Sequence, residues 1–175
     1  MLKVLRDDLR QVIDVDSSSD VNAPETPVLW LAPLRHRFGM LVEELGMHIQ
    51  WQVDAQWLQR PTTLQCMAMA RFLEEAFSNV LKHSRASHIQ VQCHQPDVQS
   101  WVVSITDDGV GFDVAAVEAA GMGIGMHSMH TRLGKVNGSL QVASSPQGTT
   151  LTASITLPTN HIERQITSEN IAASA

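Results

Sequence analysis

The chain of 175 residues has only two cysteines, no long apolar run and no cluster of basic residues. Cys66 and Cys93 are far apart and lack the spacing of a metal-binding motif, so we interpret them as buried thiols in a reducing compartment. No apolar run approaches the ~18 residues that a membrane-spanning helix needs. Acidic residues at Asp7 and Asp8 argue against a signal peptide. These absences predict a soluble, cytoplasmic protein without membrane contact of its own.

The charge balance excludes a further class of function. The formal net charge is -6, which argues against nonspecific binding to nucleic acid or to an anionic membrane surface. Hydrophobic residues make up 43% of the chain and charged residues 17%, as in ordinary globular proteins. The length suffices for one domain with a real core and a short extension.

Composition divides the chain into three parts, residues 1–27 (a helix and a linker), residues 28–158 and residues 159–175. Residues 2–13 carry apolar side chains at helical spacing and are predicted to form a helix. Residues 14–27 are rich in Asp, Ser and Pro and are predicted to be a linker. Residues 28–158 form the main predicted domain, and the polar residues 159–175 are predicted to be a disordered tail.

Within the main domain, the apolar periodicity alternates between helical and strand spacing. Residues 95–97 are predicted to form a turn, and the glycine-rich residues 107–125 are predicted to be mostly loop. Because strands and helices separate into two sets, we predict an α+β fold of two layers, a sheet with helices on one face. The predicted helices are residues 34–45, 61–81 and 126–133, and the predicted strands are residues 47–53, 89–93, 101–105, 139–144 and 149–157.

Two polar side chains share one face of the second helix of this domain. Glu75 and Asn79 are four positions apart, so they lie about one turn from each other. The amide oxygen of Asn79 suits a hard cation such as Mg²⁺, and the Glu75 carboxylate can hold a water molecule. Lys82 can reach a phosphate, and for His83 we favour a structural role. The alternative is a solvated polar face.

An acidic residue lies at the end of the third predicted strand. Asp107 follows an apolar strand, and its carboxylate can accept a hydrogen bond from an exocyclic amine such as that of adenine. Gly109 and Gly111 allow a sharp turn and the close approach of a flat base. The alternative is a plain turn between strands.

A glycine-rich loop precedes the last predicted helix. Gly121, Gly123 and Gly125 would expose backbone amides at a helix N-terminus, which favours phosphate binding. The loop is not a Walker loop, because no Gly-Lys-Ser/Thr follows, and its spacing is not that of a Rossmann fingerprint. The alternative is a mobile surface loop.

Taken in order, these segments resemble the ATP-binding catalytic domain of sensor histidine kinases. This domain belongs to the GHKL superfamily of Bergerat-fold ATPases, with gyrase, Hsp90 and MutL. Residues 75–79 (Glu-Ala-Phe-Ser-Asn) resemble the N box, residues 107–112 (Asp-Asp-Gly-Val-Gly-Phe) the G1 box and residues 123–129 the G2 box. The sequence of residues 75–84 is most similar to that of the subfamily that pairs with LuxR-type response regulators. The resemblance implies a mixed, mostly antiparallel sheet.

The resemblance also implies a role for each candidate residue, with ATP and Mg²⁺ as cofactors. Asn79 would bind Mg²⁺, Asp107 would recognise the adenine amine, and Glu75 would match the general base of the ATP-hydrolysing relatives. The remaining nucleotide-binding positions would be Lys82, Gly109 and Gly111 around the base and phosphates, Gly123 and Gly125 in the lid, and Thr149 beside the aspartate.

One feature of a complete kinase is missing from this sequence. None of the eight histidines lies in a phosphoacceptor motif. Residues 2–13 resemble the end of a dimerisation helix, so we predict that the acceptor histidine belongs to dimerisation helices outside this chain, with a LuxR-type response regulator as the indirect partner. The chain would then be the cytoplasmic part of a sensor. The alternatives are a nucleotide-binding regulatory module without phosphotransfer, and an ATPase or serine kinase of the anti-sigma type.

Overall fold

The computed structural model describes residues 23–119 and 124–158. The predicted helix at residues 2–13, most of the predicted linker, Gly121, Gly123 and the predicted tail at residues 159–175 lie outside the described residues. None of the described helices is both long enough and apolar enough to cross a bilayer.

The described part of the chain forms helices and one sheet of five strands. The helices are α1 (Pro27–Glu44), α2 (Thr63–Asn79), α3 (Val114–Ala119) and α4 (Ile124–Gly134), and a π-helical segment, Val80–Ser84, continues α2. The strands are β1 (His48–Val53), β2 (His88–Asp97), β3 (Ser100–Asp107), β4 (Gly138–Ser145) and β5 (Gly148–Thr156).

The strands lie in the order β1-β2-β3-β5-β4, with β1 parallel to β2 and the other neighbours antiparallel. Alternate residues of β2, β3 and β5 are buried, and α1, α2 and α4 contact the sheet. The opposite positions of these strands carry mainly Gln, Ser, Thr and His. The predicted α+β fold, with a mixed and mostly antiparallel sheet, is therefore confirmed.

Helix α1 begins earlier than predicted, at Pro27 instead of residue 34. Thr26 caps it, because the Leu29 N–H donates a hydrogen bond to Thr26 Oγ1 at 3.1 Å. Proline is well suited to the first turn of a helix, where its missing N–H is not needed. Pro27, one of the prolines that suggest a linker, is thus the first residue of a helix.

The turn between β2 and β3 is also displaced from its predicted position, to Val98 and Gln99. Gln95 lies inside β2 and is buried. Its side-chain oxygen accepts hydrogen bonds from the backbone N–H groups of Leu58 at 2.6 Å and Gln59 at 3.1 Å. These long-range bonds hold residues 95–97 in the strand, although Pro96 suggests a turn.

Within residues 107–125, which the sequence predicts to be mostly loop, the structure has the short helix α3 and the start of α4. The Ala116 N–H donates a hydrogen bond to Asp113 Oδ1 at 3.0 Å, which starts this short helix in the manner of an N-cap. A helix of about six residues is too short for apolar periodicity to reveal it.

Aromatic contacts tie the helices to the sheet. Trp30 of α1 packs on Trp101 of β3 with ring centroids 4.9 Å apart, and Phe38 of α1 stacks on Phe77 of α2 at 4.0 Å. Both cysteines are buried as predicted, and burial raises the pKa of each thiol to about 12. Such thiols stay protonated and unreactive, so their contribution is to packing.

The start of α2 provides a test of what holds this helix in place. Thr62 and Gln65 form a capping box, in which the Gln65 N–H donates to Thr62 Oγ1 at 3.2 Å and the Thr62 N–H donates to Gln65 Oε1 at 2.9 Å. We expect Thr62→Ala to lower the free energy of unfolding by about 1 kcal/mol, measured by urea denaturation. The matched control is Thr131→Ala on the exposed face of α4, which should leave stability unchanged or slightly raised. Equal effects of the two substitutions would contradict the capping role.

Candidate functional site

A cavity of about 580 Å³ lies between the C-terminal part of α2 and the ends of β3 and β5, and α3 and α4 contribute to its wall. Its volume is in the range of small-molecule sites. The structure brings seven of the nine predicted site residues to its lining. These are Glu75, Asn79, Lys82, Asp107, Gly111, Gly125 and Thr149.

Two predicted site residues do not line the cavity in the described part of the chain. Gly123 lies outside the described residues. Gly109 lies behind the cavity wall, where a Cβ atom would overlap the carbonyl oxygen of Ser84. Its backbone N–H donates a hydrogen bond to Asp107 Oδ1 at 2.9 Å. Gly109 therefore supports the site through the backbone and not through direct lining.

Asp107 is the one buried carboxylate of this cavity. It ends β3 and pairs with Thr149 of β5. Burial raises the pKa of the Asp107 carboxyl, and the nearby Asp108 charge acts in the same direction. The backbone N–H groups of Gly109 and Thr149 lower it and offset part of that shift. The carboxylate is thus poorly hydrated and open to a donor from a ligand.

The Thr149 side chain joins the two glycine turns that surround Asp107. Its Oγ1 lies 2.9 Å from Ser144 Oγ, and Ser144 Oγ accepts a hydrogen bond from the Phe112 N–H at 2.9 Å. Gly111 lies against the backbone of Ser145, where a Cβ atom would overlap the carbonyl oxygen. The loop after β3 is therefore held against the β4–β5 hairpin.

The end of α2 changes from α-helical to π-helical geometry at the cavity. Glu75 and Asn79 line the cavity from the regular helix, and the π-helical segment then presents Lys82, His83 and Ser84 to it. In a regular α-helix three successive residues spread over more than half of the helix circumference, whereas the wider π turn brings them closer to one side. Sequence periodicity predicted only a regular helix here.

The apolar part of the lining was not identified from the sequence. Ile105 and Leu151 are register partners on β3 and β5, and Ile105 shares the face of Asp107 because side chains alternate along a strand. That alternation could have revealed Ile105. Val117 could not have been found in this way, because it lies on α3. The apolar lining residues are Ala76, Val80, Ile105, Val110, Phe112, Val117, Met126 and Leu151.

The first turn of α4 lies directly against Glu75. A Cβ atom at Gly125 would overlap Glu75 Oε1, so only glycine allows this approach without a shift of the carboxylate. The N-terminal turn of a helix has free N–H groups and a partial positive charge. An anion can therefore be held between this turn and Lys82.

The donor set fits a purine nucleotide with a hard cation better than a metal held by protein alone. Within residues 23–119 and 124–158, no group of three or more His, Cys, Asp or Glu side chains could hold a metal ion. Asn79 and Glu75 offer an amide oxygen and a carboxylate one turn apart, and Mg²⁺ commonly takes its other ligands from phosphates and water. Asp107 amid apolar walls suits a flat base with an amine.

Sequence comparison supports this interpretation. A sequence model of the family described as histidine kinase-, DNA gyrase B-, and HSP90-like ATPase matches residues 67–161. An uncharacterized sensor-like histidine kinase of Chloroflexus aurantiacus is 37% identical over 90 residues, which cover 49% of this chain and 15% of that protein. The signal transduction histidine-protein kinase/phosphatase DegS of Brevibacillus brevis is 34% identical over 94 residues, which cover 53% of this chain and 24% of that protein.

The chain thus spans less than a quarter of the length of these curated relatives. Among solved structures, the histidine kinase domain of the blue-light activated histidine kinase of Erythrobacter litoralis EL346 matches with a TM-score of 0.62 at 17% identity. The match covers 84% of this chain and 73% of the other. At this identity the likeness concerns the fold.

The raised pKa of Asp107 leads to a prediction about stability. A carboxyl whose pKa is higher in the folded state lowers the free energy of unfolding as the pH rises through that pKa. Asp107→Asn removes the charge, so we expect this variant to unfold at a higher temperature than the wild type at neutral pH. The difference should narrow as the pH falls toward about 4, where the carboxyl becomes protonated in both states. Thermal unfolding followed by circular dichroism over this pH range tests the sign, and a variant less stable at neutral pH would contradict it.

The close approach at Gly109 leads to a second prediction. Gly109→Ala forces the turn after β3 away from Ser84, and we expect a loss of about 1–3 kcal/mol in the free energy of unfolding. The matched control is Gly39→Ala in α1, where an added Cβ meets no atom within 4 Å. Alanine should stabilise that helix by up to about 1 kcal/mol. Urea denaturation of both variants would disprove the packing argument if Gly109→Ala proved as stable as the wild type.

Proposed function

Because the chain belongs to the family of histidine kinase-, DNA gyrase B- and HSP90-like ATPases, we propose that it binds Mg-ATP as the catalytic domain of a two-component sensor histidine kinase. It transfers the γ-phosphoryl group to a histidine outside this chain. The observation that carries the proposal is one cavity lined by a buried carboxylate, a helical Asn and Glu pair, and a lysine. Both of the relatives described above are named as histidine kinases.

Adenine recognition is assigned to Asp107. Its carboxylate accepts a hydrogen bond from the exocyclic amine, while Ile105 and Leu151 pack against the base. Gly111 lets the turn pack against the backbone of Ser145 at the edge of the cavity, and Thr149 stays beside the carboxylate through strand pairing. A hydrogen bond to a charged, poorly hydrated acceptor contributes about 1.5–3 kcal/mol, so this contact dominates the choice of base.

The triphosphate is assigned to the other end of the cavity. The amide oxygen of Asn79 binds Mg²⁺, which when bound neutralises charge on the phosphate oxygens. Lys82 and the N-terminal turn of α4 at Gly125 bind the phosphates directly. The resemblance gives Gly123 the same role in the lid, and that role stays a prediction because the residue lies outside those that the structure describes.

In the transfer step, a ring nitrogen of the acceptor histidine attacks the γ-phosphorus while the bond to the bridging oxygen breaks and ADP leaves. The ring attacks through its unprotonated nitrogen and then releases the N–H proton of its other nitrogen to solvent. Glu75 is the carboxylate of the cavity beside Asn79, and we assign to it the general-base position, from which it balances the charge that develops on the ring. Positioning and charge neutralisation supply most of the rate enhancement in such reactions.

The partners follow from the same proposal. The acceptor histidine belongs to the dimerisation helices of a kinase, and the phosphoryl group then passes to a response regulator. We infer a regulator of the LuxR type from the sequence of residues 75–84. We also infer a cytoplasmic location for the domain, because ATP is available there and the two buried cysteines are free thiols.

The proposal predicts Mg²⁺-dependent ATP binding in the micromolar to millimolar range and phosphotransfer in trans. The experiment mixes the chain with ATP, Mg²⁺ and a separate dimerisation helix pair, and measures ATP affinity by calorimetry and phosphohistidine by its acid lability. We expect Asp107→Asn to weaken ATP binding by about tenfold or more. Asn79→Asp should remain folded and lose Mg²⁺-dependent transfer.

Matched controls for this experiment replace the same residue types away from the cavity. Asp97 lies at the end of β2 and Asn137 in the turn after α4, and Asp97→Asn and Asn137→Asp should behave as the wild type. Unchanged ATP affinity in Asp107→Asn refutes the adenine assignment, and full transfer by Asn79→Asp refutes the metal assignment. ATP binding without any phosphohistidine would favour the regulatory module over the kinase.

A further inference from the structure

Asp108, the neighbour of Asp107, makes its side-chain contacts outside the cavity. Its side chain accepts four hydrogen bonds from two residues at the start of β2. The N–H groups of Ser87 and His88 each donate to Oδ1 at 2.8 Å. On the other oxygen, Ser87 Oγ donates to Oδ2 at 2.7 Å and His88 Nδ1 lies 3.0 Å away. Asp108 is exposed and does not line the cavity around Asp107.

Backbone contacts extend this connection along the whole turn. The Asp108 N–H donates to the His88 carbonyl at 3.2 Å, and the Val110 N–H donates to the Ser84 carbonyl at 2.6 Å. Gly109 lies against Ser84 between these two bonds. Ser84 ends the continuous helix that carries Asn79 and Lys82, and His88 begins β2. Residues 108–110 of the turn after β3 therefore contact both ends of the segment 84–88 that links this helix to β2.

Ser87, His88 and Asp108 do not have the geometry of a catalytic triad. Ser87 Oγ lies 2.9 Å from His88 Nδ1, and Asp108 Oδ2 lies 3.0 Å from the same nitrogen. In a proton relay, the serine and the carboxylate contact opposite ring nitrogens. Two of the four donors to Asp108 are backbone N–H groups, which points to a structural connection and not to chemistry.

We propose that Asp108 is a positioning residue that holds the Asp107 carboxylate at the place where the adenine amine is recognised. The inference rests on the proposed function, because it assigns the base-recognition role to Asp107. Asp108 anchors one side of the turn, and the Gly109 N–H orients Asp107 Oδ1 from within that turn. Hydrogen bonds weaken steeply when their angle departs from linearity, so a looser turn lowers the contribution of the amine contact.

The charge state of Asp108 supports a permanent anchor. The His88 N–H, followed by the Ser87 hydroxyl and N–H, lowers the pKa of the Asp108 carboxyl well below its ordinary range. The side chain is therefore ionised throughout the neutral range and accepts all four bonds at once. Because Asp108 is the neighbour of Asp107 and its side chain contacts none of the residues assigned to the phosphates, its loss affects the choice of base more than the binding of phosphates.

The test compares ATP with inosine triphosphate, which has a carbonyl group in place of the exocyclic amine. The affinities of the full chain for both nucleotides are measured with Mg²⁺, well below the unfolding temperature of each variant. We expect the wild type to bind ATP more tightly than inosine triphosphate. Asp108→Ala should reduce the ratio of these two affinities by about fivefold or more. A role in stability alone would leave the ratio of the two affinities unchanged.

The matched control is Asp97→Ala, at the opposite end of the β2–β3 hairpin. Asp97 is also an exposed aspartate that accepts local hydrogen bonds, from the Gln99 N–H at 2.8 Å and the Ser100 hydroxyl at 3.1 Å. We expect its loss to leave the nucleotide preference at the wild-type value. Should Asp108→Ala fail to fold, Asp108→Asn replaces it, because an amide keeps one acceptor oxygen and the size of the side chain.

The outcomes distinguish the role of Asp107 in adenine recognition from the positioning role of Asp108. A wild type that binds both nucleotides equally overturns the adenine assignment and thus the proposed function. A wild type that prefers ATP, with the same preference in the folded Asp108 variant, overturns the positioning role alone. Equal weakening of both nucleotides by that variant also overturns it, whereas a narrowed ratio with an unchanged Asp97→Ala control supports it.

Discussion

The close contact between the backbone of Gly109 and the carbonyl of Ser84 is the constraint on which the site depends. It joins the end of a helix to the end of a strand, with no side chain between them. The helix contributes Asn79 and Lys82 to the cavity, and the strand contributes Asp107. Because both ends are fixed at the same place, the distance between the two halves of the cavity is set by backbone packing. Side chains then determine what the cavity can bind.

Departures from regular structure concentrate around this contact. The helix becomes π-helical at Val80–Ser84, and Arg85 follows with a left-handed φ of 55°. Asp107 is a carboxylate buried among apolar walls, at a cost that its raised pKa reflects. Elsewhere in the described chain α1 and α2 begin with capped first turns, the strands pair regularly apart from a register shift between His94 and Asp97, and aromatic rings pack in the core. Proteins commonly accept such local costs at binding sites and offset them in the rest of the fold.

Much of the fold could be read from apolar periodicity, because buried faces repeat every two residues in strands and every three to four in helices. The long helix with Glu75 and Asn79 and the strand that ends at Asp107 were predicted in this way. The failures have two causes. Proline favours a break in regular structure, yet Pro27 starts a helix and Pro96 lies in a strand held by Gln95. Helix α3 was too short to show a period.

For the site, residue type and spacing along the chain were enough to nominate Glu75, Asn79, Lys82 and Asp107, because the chemistry of a side chain and its helical or strand face are local properties. Tertiary structure alone decided that these side chains face one cavity. It also decided that Gly109 supports the cavity from behind and that Asp108 binds Ser87 and His88, some twenty positions earlier in the chain. Those contacts follow from the register of β2 against β3, in which Ile89 pairs with Asp107. Register depends on packing between distant segments, and no local pattern in the chain encodes it.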